Sequence, residues 1–464
     1  MTLAPTASAT ATATTLDTLV GVGLDALARG RAARGGPVPA GTPAHVGLAV
    51  DEALGRDPLP VHGVGEVAAL DDLVQAVTAG AADPADPRCA GHLHCPPLPV
   101  AVAADLAASA LNQSLDSWDQ APAATVLEER VVTTLATLAG FPCGTGVLTT
   151  GGTASTYTAL MLARDAEPTP VRVYASTIAH FSADRAATLL GLPPVVPVPV
   201  DEERRMDPAA LRSLLAEAPR DERPVVVATA GTTDFGSIDP LAEVSRIAHD
   251  ADGWVHVDAA FGGGLLFSDR FRPLLHGLPE ADTVSLDLHK LGWQPAAAGV
   301  LLARDLGVFA PLHRRAAYLN PADDELAGYT SLLGKSLRTT RRADVLKVAV
   351  TFRALGRAGL GSLVDTCCDL ARHAADGVRR RPELELTADP VITTVVFRYR
   401  GPDAVNAGLR RRLLREGKAV VGRTEVDGRL HLKLTLLNPD ATHADVDALL
   451  DLVVAAGRDE EAGL

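Results

Sequence analysis

The chain has 464 residues, 47% of them hydrophobic and 22% charged, with 43 Lys and Arg against 57 Asp and Glu for a formal net charge of −14. That hydrophobic content excludes wholesale disorder, and about two to four structural units are expected for this length. An acidic balance without a long basic run offers no electrostatic footprint for nucleic acid or an anionic membrane, so neither is expected as a partner.

Residues 1–15 are an Ala/Thr/Ser tract without Lys, Arg or the apolar stretch of a secretory signal, and read as a disordered tail. Residues 16–88 carry helical patterns broken by Pro/Gly segments at 34–43 and 83–87, and are expected to form a helical arm. From 89 to 355, short apolar runs at 146–150, 172–175, 195–200, 225–229, 254–258, 283–286 and 299–303 alternate with amphipathic helical stretches. That alternation predicts a large α/β domain around a mainly parallel seven-stranded sheet with right-handed crossovers. Residues 356–464 hold a long helical pattern at 363–379, strand-like runs at 393–399 and 430–436, and a helix at 405–416 between them, the pattern of a smaller α+β domain. The apolar run 98–111 is too short to span a bilayer. The five cysteines, Cys89, Cys95, Cys143, Cys367 and Cys368, have no CxxC spacing. This argues against a disulfide framework or a metal site and for the reducing cytoplasm.

Chemistry concentrates in the middle third. The segment TVSLDLHK (283–290) is an apolar strand ending in His289 and Lys290. A lysine there either reaches out to solvent or, desolvated, offers a neutral amine to an aldehyde. Upstream, WVHVDAA (254–260) places Asp258 at the end of another strand, 32 residues before Lys290 and about one βαβ unit away. Asp258 could cap the next helix or hold a cationic ring nitrogen. The glycine-rich TTGGTAS (149–155) follows a strand and opens a helix, so its backbone N–H groups can approach an anion. It matches neither the dinucleotide nor the P-loop pattern. In ASTIAHFS (175–182) and TAGTTDFGSIDP (229–240), His180 could stack on a flat ring and Thr233 could bond a ring oxygen. A satisfied buried histidine and a strand-end turn are the plain alternatives.

In this order the segments GGTxS, AHFS, GTTxxGxxDP, HVDAA and DxHK resemble those of the group II pyridoxal-phosphate-dependent amino-acid decarboxylases, of the aspartate-aminotransferase-like fold type I. The resemblance spans about residues 89–439 and implies pyridoxal 5'-phosphate as cofactor, with no metal. By it, Lys290 matches the lysine that holds the cofactor, Asp258 the partner of the ring nitrogen and His180 the stacking histidine. Ala260 matches the small residue beneath the ring, and Gly152 and Thr153 the phosphate cradle, with His289 and the edge formed by Ser285 and Asp287 nearby. Thr233 matches the threonine near the ring oxygen, and Tyr329 lies in the stretch matching a mobile loop whose tyrosine protonates Cα, a step open to His180 as well.

The segments 91–97, 111–124, 339–342 and 430–439 are most similar to the branch of the family that acts on 2,4-diaminobutyrate, implying 1,3-diaminopropane and carbon dioxide as products. Ornithine, lysine, glutamate, aspartate and aromatic amino acids remain open as substrates, and the scaffold also supports transaminases and decarboxylative oxidases. Trp118 and Asp119, with Asp116, read as a pocket edge able to receive a distal cation, or as ordinary cap and surface residues. Gly292 stands where relatives carry bulkier side chains and is expected to widen the pocket wall. The family also implies a homodimer with shared active sites, the helical arm wrapping the partner.

Overall fold

The computed structural model describes residues 13–314 and 316–463. The chain divides into two compact units, one of residues up to His92 with 370–389 and 395–464, the other of Leu93–Asp369 and Pro390–Thr394. Helices α1 (Ala13–Arg34), α2 (Pro43–Leu54) and α3 (Glu66–Ala79) thus belong with the C-terminal segments rather than to a separate arm. Backbone bonds cause this: Gly41 N donates to Arg415 O at 2.7 Å, and Ala90 N to Val420 O at 3.0 Å. Of the expected tail, residues 1–12 lie outside the described residues, and 13–15 are the first of α1.

The second unit runs through α4 (Pro99–Leu111), α5 (Pro122–Leu138), β1 (Thr145–Thr149), α6 (Gly152–Asp165), β2 (Val171–Ser176), α7 (Ser182–Leu189) and β3 (Val196–Val198). It continues with α8 (Pro208–Ala216), β4 (Arg223–Thr229), α9 (Leu241–His249), β5 (Trp254–Ala259), β6 (Thr283–Asp287), β7 (Gly299–Ala303) and α10 (Ala322–Leu326). Proline at the first turn of α4, α5 and α8 costs no hydrogen bond there and presets φ for the helix. The strands form one sheet in the order β1-β7-β6-β5-β4-β2-β3, parallel except for β7, which is antiparallel to both β1 and β6. All seven expected strands are present, and the sheet is mainly parallel as the alternation of runs predicts. Strands β6 and β7 are buried throughout, as a sheet covered by helices on both faces requires. Val171, Val173, Val225 and Val227 pack on one face against Leu160 and Ala163 of α6 and Ala183 and Ala186 of α7.

The long helix α11 (Val345–Arg380) breaks at Gly356, whose φ is 63°. After it the first unit adds β8 (Leu384–Leu386), β9 (Thr394–Tyr399), α12 (Asp403–Arg415), β10 (Gly422–Val426), β11 (Arg429–Thr435) and α13 (His443–Ala462). Its four-stranded sheet, ordered β10-β11-β9-β8, buries Val395, Phe397, Leu432 and Leu434 against Leu409 of α12 and Leu449, Leu450 and Val453 of α13. Among the described residues no helix is long and apolar enough to cross a membrane.

Candidate active site

In a parallel sheet the C-terminal strand ends and the N-termini of the following helices open on the same edge, which makes that edge the place for a ligand. Here the loops after β2, β4 and β6, the end of β5 and the N-terminus of α6 enclose a cavity of about 300 Å³. Lys290, Asp258, His180, Ala260, Gly152, Thr153, Thr233 and His289 all line it, although they come from five separate segments.

Pairing register explains the central acid. Asp258 on β5 is opposite Ser285 on β6, and its Oδ1 accepts from Ser285 Oγ at 3.1 Å and from Ala260 N at 3.0 Å. The carboxylate is 7% exposed. Two donors and a charge-seeking cavity suit it to a cationic partner. Ser285 therefore acts behind Asp258 rather than at the cavity surface.

Lys290 follows β6 by three residues, and its Nζ lies 2.9 Å from Asp287 Oδ2. His289 Nδ1 accepts from Ala298 N at 3.2 Å, while burial holds the imidazole below the usual histidine range. His180, after β2, accepts from Ser182 N at 3.3 Å through Nδ1, and burial likewise keeps it toward the neutral form. At the mouth of α6, a Cβ on Gly152 would come within 2.7 Å of the Ala260 Cβ, so these two small residues leave the helix end accessible.

The residues fit pyridoxal 5'-phosphate. A primary amine, a fixed carboxylate, a flat neutral ring and a helix N-terminus meet in one cavity. Two buried polar atoms on its wall, Thr229 Oγ1 and Asp287 Oδ1, have no protein partner.

Four expected site residues lie elsewhere. Trp118 meets Tyr329 edge to face at 6.3 Å, Tyr329 being 52% exposed, and Trp118 lines a second cavity of about 450 Å³ with Glu128, Thr330 and Lys335. Asp119 is exposed and accepts from Ser117 Oγ at 2.6 Å. Gly292 is not on the cavity wall: its Cβ would lie 2.6 Å from Leu288 O, so glycine is demanded by the turn after β6 and does not widen the pocket. Asp287, expected with Ser285 at the edge near the phosphate cradle, lines the cavity itself, as the carboxylate three residues before the lysine. Among the described residues no cluster of His, Cys, Asp or Glu could hold a metal ion.

A lysine and a carboxylate at the ends of adjacent central strands, facing a glycine-opened helix across one cavity, define a fold type I pyridoxal-phosphate enzyme. The pyridoxal-dependent decarboxylase conserved domain matches residues 62–400, and the chain belongs to that family. It is a pyridoxal-phosphate-dependent carboxy-lyase. Among its relatives, the L-2,4-diaminobutyrate decarboxylase of Rhizobium meliloti is 45% identical over 87% of this chain and 85% of its own length. The enzyme of that name from Acinetobacter baumannii is 36% identical, over 80% and 79%. A solved structure from Vibrio parahaemolyticus, the glutamate decarboxylase domain of diaminobutyrate-pyruvate transaminase and L-2,4-diaminobutyrate decarboxylase, superposes with a TM-score of 0.86. It is 31% identical, with 97% of each chain covered.

Proposed function

We propose that the protein decarboxylates L-2,4-diaminobutyrate to 1,3-diaminopropane and carbon dioxide. The relative from Rhizobium meliloti, 45% identical over most of both chains, carries this substrate reading, and the cavity at Lys290 carries the chemistry. Bound pyridoxal 5'-phosphate supplies an electron sink for the pair left on Cα when the carboxylate departs.

The chain's residues do the rest. Lys290 binds the cofactor through its amine, and Gly152 and Thr153 at the N-terminus of α6 hold the phosphate. Asp258 keeps the ring nitrogen cationic, oriented by Ser285 Oγ and Ala260 N. His180 offers the face of a neutral imidazole, and Thr233 a hydroxyl to the ring oxygen. Phe261 and Ala260 add apolar wall, excluding water and strengthening the Asp258 charge interaction. Tyr329 returns the proton to Cα, and Asp119 receives the substrate's distal ammonium, with Trp118 beside it.

Neither Tyr329 nor Asp119 lines the cavity of its own chain. This supports a homodimer in which the Trp118–Tyr329 cluster of each subunit serves the other's cavity. The absence of any disulfide among the five cysteines supports a cytoplasmic setting.

A screen of cofactor-loaded protein against 2,4-diaminobutyrate, ornithine, lysine, glutamate, aspartate and aromatic amino acids, following amine and carbon dioxide together, tests the reading. Preference for 2,4-diaminobutyrate with equal release of both products is expected. Preference for another amino acid would refute the substrate, and a 2-oxo acid or peroxide in place of carbon dioxide would refute the reaction. Asp119→Asn is expected to raise KM for the diamino acid about tenfold, the loss of one charged partner.

A further inference from the structure

The cavity of about 450 Å³ that Trp118 lines shares no wall residue with the one at Lys290. Strand β1 separates the two. Thr145 and Gly146, at its start, line the first cavity, whereas the glycines that open α6 follow its last residue, Thr149, and line the second. An extended strand of 5 residues puts about 13 Å between its ends.

Two opposite charges on the wall of the Trp118 cavity lack counterions. Glu128 and Glu129 are neighbours on α5 and both line it. Glu128 is buried and committed within the fold, its Oε1 accepting from Arg341 Nη1 at 2.7 Å and from Leu148 N at 3.1 Å. Glu129 is half-buried and forms no ion pair with any described residue. Lys335 is half-buried as well, and its Nζ donates at 3.0 Å to a neutral group, Thr145 Oγ1, with no carboxylate close enough to pair. Burial pulls the Lys335 amine below the usual lysine range, against the opposing pull of Glu129 and Glu128. The other cation on the wall, Arg130, is exposed. Trp118, Val126 and Leu332 make the apolar part of the wall.

A partly desolvated ammonium and a partly desolvated carboxylate that do not reach each other each carry a cost that a counterion would offset. A simple anion would serve Lys335 and leave Glu129 as it is; a simple cation would do the reverse. A molecule carrying both charges serves both at once, and the volume is that of a small-molecule site.

We propose that this cavity is a second amino-acid seat, separate from the cavity at Lys290: it takes a free amino acid as the zwitterion, the carboxylate on Lys335, the ammonium toward Glu129 and the side chain along the apolar wall. Gly328 and Thr330 also line it, so the occupant bears on the backbone on both sides of Tyr329.

The cofactor-loaded full-length chain, reduced with borohydride so that the amine of Lys290 is fixed, tests the seat by calorimetric titration. The probes are L-leucine, 4-methylpentanoate and 3-methylbutylamine: the zwitterion, the same body without the ammonium, and the same body without the carboxylate. L-Leucine is expected to bind at least about tenfold more tightly than either, the worth of one hydrogen bond to a charged group. Lys335→Met and Glu129→Gln are each expected to weaken L-leucine by about tenfold or more, while Glu129→Gln leaves the affinity for 4-methylpentanoate as it is in the natural chain. Glu129 holds no partner in the fold, so its variant and the comparison of the three probes decide the matter even if Lys335→Met fails to fold. A natural chain that does not bind L-leucine, that binds the acid or the amine equally well, or whose Glu129→Gln variant keeps full affinity for L-leucine would overturn the seat.

Discussion

His256 sits two residues before Asp258 on the same face of β5, fully buried, with Nδ1 3.0 Å from Thr283 Oγ1 and Nε2 without a partner. Burial drives its pKa from 6.5 to about 4. The folded protein therefore binds this proton less readily than the unfolded chain, so His256 contributes stability that is fully present above about pH 6.5 and is lost as pH falls toward 4. The span from 6.5 to about 4 corresponds to roughly 3 kcal/mol. Melting curves between pH 7 and pH 4 are expected to show a steep acid loss in the natural chain and a shallower one in His256→Asn; parallel curves would rule the histidine out as the cause. One register step further along, Ser285 acts on function instead. Removing its hydroxyl leaves Asp258 Oδ1 with one donor, Ala260 N. Ser285→Ala is expected to lower kcat about tenfold, the worth of one hydrogen bond to a charged group, and Ser285→Thr to restore most of it. An unchanged kcat in Ser285→Ala would show that Ala260 N alone positions the acid.

At the scale of elements, the opening of α6 is where backbone geometry decides chemistry. The helix begins at Gly152, hard against Ala260, with a Cβ-to-Cβ distance of only 2.7 Å available. A methyl group there must push α6 away from the end of β5. Gly152→Ala is expected to weaken cofactor affinity about tenfold or more while lowering the Tm of the cofactor-free chain by only a few degrees, since overpacking of this kind costs roughly 1–3 kcal/mol. Equal loss in both would make the glycine a packing residue only.

Motifs of this type were legible from sequence because the chemistry constrains the backbone as well as the side chain: a glycine pair, a strand-ending acid and a strand-ending lysine each leave a mark. The seven strands were legible because they are apolar runs in a doubly covered sheet. Strand β10 was not, since it is an edge strand whose Arg423 and Glu425 face outward and leave no apolar run. Helix α13 went unread although Thr442 and Asp445 form a capping box at its start. Gly292 misled for a different reason: nothing in the order of residues says that its α-carbon is pressed against the Leu288 backbone. Asp119, Trp118 and Tyr329 share one difficulty: under the proposed homodimer their place relative to a cavity is set by a second chain, which the order of residues does not encode.

For the whole molecule, that difficulty becomes an experiment. If Tyr329 acts in the cavity of the chain that carries it, each site needs Lys290 and Tyr329 from the same polypeptide. If it serves the other subunit of a homodimer, each site draws the two residues from different polypeptides. Lys290→Ala and Tyr329→Phe chains, each inactive alone, separate the cases when they are dissociated together and allowed to reassociate. In a mixed dimer under the shared arrangement, one site receives Lys290 from the Tyr329→Phe chain and Tyr329 from the Lys290→Ala chain, and is complete; the other lacks both. Random pairing makes about half the dimers mixed, so about a quarter of all sites recover. Under the unshared arrangement no site in any dimer is complete and nothing recovers. Recovered carbon dioxide release near a quarter of the natural level is the expected outcome. Its absence, with mixing verified by mass, would return Tyr329 to its own chain and require the segment between β7 and α11 to reach Lys290 by moving.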